Sequence, residues 1–310
     1  MKYYPMLCKK GGINILDSNK YIFEPKLDGT RCIAEINEEV RLYNRRGKNI
    51  KKRYPFICEE LKKYKGFIYD GEIICYNKEG IPDFYLLQKR EHIESDFAIE
   101  MRAKLIPATY VIFDILEKNG RSFINLPIEE RKEMLEEIFE ESKHLELIFY
   151  TENGHKLWKE VKKRKIEGII AKEKGSKYYP GERRREWLKI KNLKSIDVVV
   201  VGYTAEKREI SSLAMALYED GKFFYVGKVG TGFEEHIMEK LLKKMKKIDN
   251  PSVANFEKAP PNVIWVKPEI VIEVEYIELT NDFELRSPSF KRIREDKLPE
   301  ECKYEQLIKI

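Results

Sequence analysis

Cysteine and histidine are scarce in this 310-residue chain, five and four respectively, and no Cys-x-x-Cys pair occurs. Those absences argue against a zinc site and a disulfide framework, predict reduced thiols, and leave no obvious histidine constellation for acid–base chemistry. Long apolar runs are also missing. No stretch approaches bilayer-spanning length, and Met1 to Gly12 lacks the continuous apolar core of a signal peptide, so a cytoplasmic protein is expected. Neither charge sign dominates: 59 Lys and Arg stand against 53 Asp and Glu, a net charge of +6. With so small an excess, where the cations fall matters more than their number.

What is present is a heavily ionic surface over enough apolar residues for packed cores. The chain is 42% hydrophobic and 36% charged, and its length suffices for two domains, each with its own core. Basic residues cluster at Lys51-Lys52-Arg53, Lys162-Lys163-Arg164-Lys165, Arg183-Arg184-Arg185, and Lys243-Lys244 with Lys246-Lys247. Such runs are solvated faces or contacts to a polyanion.

The rest of the chain is organised around Glu24-Pro25-Lys26-Leu27-Asp28-Gly29-Thr30-Arg31. Apolar Ile22-Phe23 precedes it and Cys32-Ile33-Ala34 follows, which predicts strand, exposed loop, strand. A nucleophilic lysine must shed a proton, and desolvation or a neighbouring cation such as Arg31 favours that for Lys26. Gly29 permits a sharp turn and close approach to a ligand. The other reading is a surface hairpin with Asp28-Gly29 at its turn and a solvated lysine.

Downstream, Val40 to Tyr43 reads as a strand ending in Asn44-Arg45-Arg46-Gly47, whose arginines either hold phosphates or decorate a turn. Phe67 to Ile74 is an apolar strand with Asp70 and Glu72 on one face. Burying a carboxylate requires a cation or donors, so either Glu72 serves a ligand or Asp70-Gly71 marks a bulge. Tyr110 to Leu116 is a buried strand in which Phe113 is plain core or a stacking surface. Helical patterns cover Phe56 to Lys65, Leu126 to Glu141 and Leu157 to Lys165. In Glu167-Gly168-Ile169-Ile170-Ala171-Lys172 a carboxylate and a lysine flank an apolar strand, and Trp187 to Lys191 puts Lys189 and Lys191 on one strand face.

Residues 1 to about 20 read as an irregular lead-in with a Gly11-Gly12 turn. A linker near Asn192 to Ser195 begins a new pattern: strands at Val198–Tyr203, Leu213–Tyr218, Phe223–Val229, Val263–Val266 and Ile270–Tyr276, with a helix from about Phe233 to Lys246. Five short strands and one interrupting helix suggest an OB-fold barrel.

Lys26-Leu27-Asp28-Gly29-Thr30-Arg31 resembles the Lys-x-Asp-Gly-x-Arg signature of the covalent nucleotidyltransferases, which comprise ATP-dependent DNA ligases, RNA ligases and mRNA capping enzymes. Leu285-Arg286-Ser287-Pro288-Ser289-Phe290-Lys291-Arg292-Ile293-Arg294-Glu295-Asp296-Lys297 resembles the last ligase motif nearly position for position. Six such motifs stand in order from Glu24 to Lys297, and the fullest resemblance is to ATP-dependent DNA ligases in a two-domain form. That form is similar to the ligase module of prokaryotic end-joining systems, without the large N-terminal helical domain of replicative ligases.

The resemblance implies an α+β fold: a nucleotidyltransferase (adenylation) domain of antiparallel sheets with helices over residues 1–193, then a C-terminal OB-fold β-barrel over 194–310. It implies that Lys26 forms lysyl-AMP from ATP, that Lys189 and Lys191 contact the α-phosphate, and that Glu72 and Glu167 bind ribose or a Mg²⁺ ion, with Mn²⁺ as a substitute. Phe113 would stack on adenine, Arg31 would hold ribose or a phosphate, and the motif containing Arg294, Asp296 and Lys297 would meet the pyrophosphate. The Glu24 carboxylate or its backbone carbonyl is placed to accept from the adenine amino group, favouring ATP over GTP. Arg45 and Arg46 stand where the ligase Ser-Arg-x-Gly motif touches DNA, with Asn44 replacing the serine.

The expected partner is nicked double-stranded DNA, with ribonucleotides at the 3′ side and partners in repair or end joining left open, and a monomer is expected. Two other readings remain: an RNA ligase with the same lysyl-AMP chemistry, and a non-catalytic OB-fold nucleic-acid-binding protein. Intact Lys26, Glu167, Lys189 and Lys191 argue against the second, because binding alone needs no nucleophile.

Overall fold

The computed structural model describes residues 1–91, 93, 95–206 and 208–308. It divides into two compact units, Met1–Asn192 and Leu193–Ile310. Among the described residues no helix is long and apolar enough to cross a membrane.

The first unit is built on β1 (Leu7–Lys10), β2 (Tyr21–Pro25), β3 (Thr30–Ile36), β4 (Val40–Asn44), β5 (Phe67–Ile74), β6 (Thr109–Lys118), β7 (Arg121–Ser122), β8 (Leu145–Leu147), β9 (Gly168–Glu173) and β10 (Arg183–Lys191). They form two sheets, ordered β1-β10-β9-β2 and β4-β3-β5-β6-β7, with β8 beside β6. Helix Gly154–Lys163 turns Leu157, Trp158 and Val161 onto one side of the first sheet, against Phe23, Ile169 and Ile190. Each such buried side chain contributes about 1.5–3 kcal/mol. Helix Pro55–Leu61 packs Ile57 and Leu61 on the second sheet. A third cluster, with Ile22 and Trp187 from one sheet and Ile33, Ile74 and Phe113 from the other, joins the two.

The segment carrying Lys26 lies at that junction. β2 pairs with β9, whereas β3 pairs with β4 and β5, so the chain crosses from one sheet to the other through Lys26 to Gly29. The surface-hairpin reading is therefore wrong. Gly29 has no left-handed φ; a Cβ there would lie 2.2 Å from the Ile73 carbonyl oxygen. Glycine is needed because the crossover presses on β5, not because a tight turn demands it.

The lead-in is also more ordered than its sequence suggests, because β1 pairs in parallel with β10. Its partner lies far along the chain, and four residues carry no periodicity that would announce it.

The second unit has β11 (Lys194–Thr204), β12 (Ser212–Glu219), β13 (Lys222–Val229), β14 (Ile264–Tyr276) and β15 (Ser289–Ile293), ordered β13-β12-β11-β14-β15 and antiparallel throughout. The Leu285 N–H donates to Val226 O at 2.8 Å and the Phe290 N–H to Thr231 O at 2.9 Å. Those bonds curl the sheet back toward β13, giving the partly open barrel of an OB fold. Helix Glu235–Lys244 interrupts the strands and buries Leu241.

The two strands expected at 263–266 and 270–276 are one. Val200 faces Ile270 while Gly202 faces Trp265, so a bulge absorbs Pro268 within β14. A bulge spares the proline the ladder hydrogen bond that it cannot donate.

Candidate active site

A cavity of about 1000 Å³ opens in the first unit, with Glu24, Lys26, Arg31, Glu72, Phe113 and Lys189 in its walls. The Lys26 N–H donates to Gly168 O at 2.9 Å, which anchors the crossover to the start of β9. Gly168, at φ +154, has no room for a Cβ, which would lie 2.1 Å from Ile190 O. That contact lets β9 begin hard against β10, and Glu167 falls between two lysines. Its carboxylate is ion-paired with the Lys26 ammonium and lies 3.4 Å from Lys191 Nζ.

Lys189 and Lys191 face Ile170 and Gly168 across the ladder. Lys189 has no ionic partner among the described residues. Burial and the ammonium groups of Lys191 and Lys26 hold its pKa below the ordinary lysine value.

Arg31 is clamped rather than free. Its Nε donates to Asp70 Oδ1 and its Nη2 to Asp70 Oδ2, both at 2.6 Å. Tyr178 OH donates to the same carboxylate at 2.6 Å. Asp70 is thus compensated by Arg31 and Tyr178. A ladder shift at Asp70/Gly71 separates it from Glu72, so the bulge reading holds there while Glu72 still reaches the cavity. Burial pushes the Glu72 carboxyl up to about 7 despite the opposing pull of Arg31 and Lys26.

Glu24 is 2% exposed. Its Oε1 lies 2.5 Å from Lys132 Nζ and its Oε2 lies 2.8 Å from Lys172 Nζ. Both carboxylate oxygens are engaged by cations, and the backbone of Glu24 lies opposite Ile170 in the β2–β9 ladder. Lys172 sits against two rings, 4.2 Å from the centroid of Trp187 and 4.4 Å from that of Phe113. Burial, with the Lys132 ammonium, draws it down to about 8 against the attraction of Glu24. Although these ion pairs are close, Glu24 Oε1 and Lys172 Nζ have no aligned hydrogen-bond partner.

Phe113 carries the Arg31 guanidinium 4.5 Å from its centroid as well. A base stacking on Phe113 competes with these cations for the ring.

Arg45 and Arg46 are exposed at the cavity rim, without an ionic partner among the described residues. Asn44 shapes their turn: its Oδ1 accepts from the N–H groups of Arg46 and Lys48, each at 3.0 Å. That is a reason for asparagine where a serine was the familiar residue.

Among the described residues no group of three acidic, His or Cys side chains forms a metal cage. Mg²⁺ requires none when it takes one or two carboxylates and completes its shell with phosphate and water. Glu72 and Glu167 are hard oxygen donors, and Glu72, held near neutrality by burial, gains from a nearby divalent charge. The residues present fit such an ion.

The remaining candidates lie in the second unit and converge on one carboxylate. Asp197 accepts from Arg294 Nη1 at 2.8 and 2.9 Å and from Lys297 Nζ at 2.6 Å. Asp296 binds the other edge of Arg294, Nε at 2.9 Å and Nη2 at 2.8 Å.

Sequence reasoning missed Lys132 and Asp197, and did not see what Asp70 does. A signal for Lys132 existed: it sits with Ile128, Arg131 and Leu135 on the buried stripe of helix Ile128–Ile138. Cations at core-facing positions need buried partners.

Two sheets joined at the crossover that carries Lys26, with Lys26 and Lys191 both beside Glu167, make a nucleotidyltransferase fold. Residues 5–191 match the family model of the ATP dependent DNA ligase domain, and residues 206–297 that of the ATP dependent DNA ligase C terminal region. The chain belongs to the ATP-dependent DNA ligase family.

Over 98% of its length it is 29% identical to the multifunctional non-homologous end joining protein LigD of Mycolicibacterium smegmatis, of which it covers 40%. Over 93% it is 32% identical to DNA ligase 2 of Methanosarcina acetivorans, of which it covers 54%. It thus spans about half the length of these curated relatives. Among solved structures, a mycobacterial DNA ligase D complexed with ATP and MES is similar at a TM-score of 0.57 and 28% identity, with 97% of each chain covered.

Proposed function

We propose that this chain seals 5′-phosphate/3′-hydroxyl nicks in DNA with ATP, through a lysyl-AMP intermediate and a DNA-adenylate. DNA repair or end joining is the setting suggested by the name of the LigD relative, and a cytoplasmic monomer is the expected form. The observation that carries the reading is Lys26 at the sheet-to-sheet crossover, paired with Glu167 and facing the cavity that Lys189 also lines.

Lys26 Nζ attacks the α-phosphorus of ATP, the bond to the bridging oxygen breaks, and pyrophosphate leaves. Glu167, already in contact with the amine, orients it for attack, and the proton it sheds passes to solvent. AMP then passes to the 5′-phosphate of the nick, which frees Lys26, and the 3′-hydroxyl displaces AMP to close the strand. Charge in these steps develops on phosphate oxygens, so positioned cations do most of the work. Lys189 and Lys191 supply them, and losing one such group costs on the order of 10²–10³ in rate.

Glu72 and Glu167 would hold Mg²⁺, or Mn²⁺ in its place, which when bound neutralises phosphate charge. Arg31, fixed by Asp70, is a rigid cation for ribose or phosphate. Phe113 and Glu24 frame the adenine end, Arg45 and Arg46 meet DNA phosphates, and Arg294, Asp296 and Lys297 serve the pyrophosphate.

The test is incubation with α-labelled ATP and Mg²⁺, followed by a chase with nicked duplexes that are all DNA, 3′-ribo or all RNA. A covalent, acid-labile adduct that disappears as sealed DNA strand appears supports the reading. Sealing of RNA alone would replace it with an RNA ligase. Absence of an adduct with ATP would refute it.

A further inference from the structure

Helix Asp96–Leu105 of the first unit carries an apolar row that nothing among the described residues covers. Phe97, Met101 and Leu105 are 75%, 44% and 69% exposed. Spaced by four, they line up along one side of the helix, whereas Ala103 on the far side is 1% exposed. A single exposed leucine needs no explanation, but a contiguous row of three large apolar side chains marks an interaction surface.

The row does not belong to a frayed end. Arg90 Nη1 donates to Ile106 O at 3.0 Å, just beyond the last turn, and Arg90 Nη2 donates to Arg53 O at 2.5 Å. The helix is thus moored to the body of the unit, and the row is presented on a fixed element.

The charges beside the row say what fits it. Asp96 and Glu100 lie in the N-terminal half of the helix, Arg102 and Lys104 in the C-terminal half. A partner of one charge sign would be repelled by one half or the other. The pattern instead complements its own reverse. Laid antiparallel on a second copy, Phe97 meets the partner's Leu105, Met101 meets the partner's Met101, and Glu100 stands beside the partner's Lys104. Within one chain Glu100 and Lys104 are 2.9 Å apart on the same flank of the row and largely exposed, so both are free to bridge to a neighbour. Antiparallel packing also opposes the two helix dipoles. Rows of this spacing interlock at a crossing angle of about −50°.

From this self-complementarity we propose that helix Asp96–Leu105 is the two-fold contact of a homodimer, with Met101 on the axis. One helix from each copy covers less than the roughly 800 Å² per partner of a standard interface. The pair is accordingly weak: the dilute chain is the monomer expected above, and the concentrated chain is a dimer. The proposal stands independently of the nick-sealing reading.

The test is sedimentation of the full chain from about 1 to about 300 µM, a range suited to a contact of this size. The expected mass rises from one chain toward two, whereas Met101→Glu stays at one chain throughout. Adenylylation and thermal unfolding of that variant should match wild type, because the side chain lies outside the core and the cavity. Glu100→Lys and Lys104→Glu probe the orientation. Each alone sets like charges together across the axis and should weaken association about two- to fivefold, while an equimolar mixture of the two variants should restore it as a heterodimer.

A wild-type chain that keeps the mass of one chain at the highest concentration overturns the proposal, whatever else then covers the row. A dimer that survives Met101→Glu overturns it as well, by placing the contact elsewhere. Charge variants that weaken association singly without recovery in the mixture would overturn the antiparallel pairing.

Discussion

The two units differ in whether any motif cation is left without a counter-charge. In the first, Lys189, Arg45 and Arg46 face a cavity with no ionic partner among the described residues, while Lys26 and Lys191 share Glu167, Arg31 is held by Asp70, and the buried Arg131 is matched by Asp114 at 2.7 and 2.9 Å. In the second, the motif cations themselves are matched: Arg294 and Lys297 by Asp197, and Lys291 and Arg292 by Glu273. A cation without a partner beside a cavity is preorganised for an anion. A cation already paired must exchange one carboxylate for another anion before it can serve. The first unit thus keeps Lys189, Arg45 and Arg46 ready for an anion, whereas Arg294 and Lys297 would have to exchange Asp197 for one.

The largest effects separate chemistry from folding within the first unit. Lys26→Ala removes the proposed nucleophile but leaves Glu167 its second cation, Lys191, so label uptake from ATP should fall by more than about 10³-fold while thermal unfolding changes little. Persistent adduct formation in this variant would mean that another residue is the nucleophile.

Asp114→Asn should do the reverse. It leaves the Arg131 guanidinium buried without its counter-charge, at a cost of about 3–5 kcal/mol in denaturant unfolding. Burial alone would raise the Asp114 carboxyl, but Arg131 outweighs it and leaves its pKa below the ordinary value. The pair therefore stabilises the fold above the unfolded carboxyl pKa of 3.8, and that contribution disappears as pH falls through the lower native value. A variant as stable as wild type at neutral pH would show that the pairing of Arg131 is not structural.

How much of this was legible beforehand depends on whether the information was local. The strings around Lys26, Glu167 and Lys189 are short and contiguous, and the structure brings those three residues together. The destination of the flanking strands was not legible. Alternating apolar residues around Asp28-Gly29 look the same whether the strands pair with each other or join different sheets, and only contacts with β5 and β9 decide. For the same reason Arg31 reads as a free ligand-binding cation until Asp70, 39 residues later, is seen to clamp it. Asp197 lies 97 residues from the arginine it neutralises, a separation that no local pattern bridges.

Glu72 tests the unmatched side of the comparison through pH. Because burial raises its carboxyl to about 7, metal binding there should weaken about tenfold for each pH unit below 7 and be level above it. Mn²⁺ titrations followed by magnetic resonance would show this, and Glu72→Gln should give weak, pH-independent binding. Stability should move the other way. The folded state holds the proton more tightly than the unfolded chain, so Glu72 lowers stability as pH rises from about 4.5 to about 7. Wild-type metal affinity with no pH dependence would remove Glu72 from the metal site.

The smallest expected effect bears most directly on the contrast between the units. If phosphates must displace Asp197 from Arg294 and Lys297, then Asp197→Asn, which preserves shape and removes charge, weakens the competitor. Adenylylation at subsaturating ATP should then rise about two- to fivefold, the range of a partly exposed ion pair. Added pyrophosphate should inhibit more strongly in the same proportion, and salt should shrink both gains. A loss of thermal stability without any change in these rates would show that Asp197 merely braces the barrel. The matched cations of the second unit would then be structural, like Arg131 in the first, and the proposed swap would have no part in the reaction.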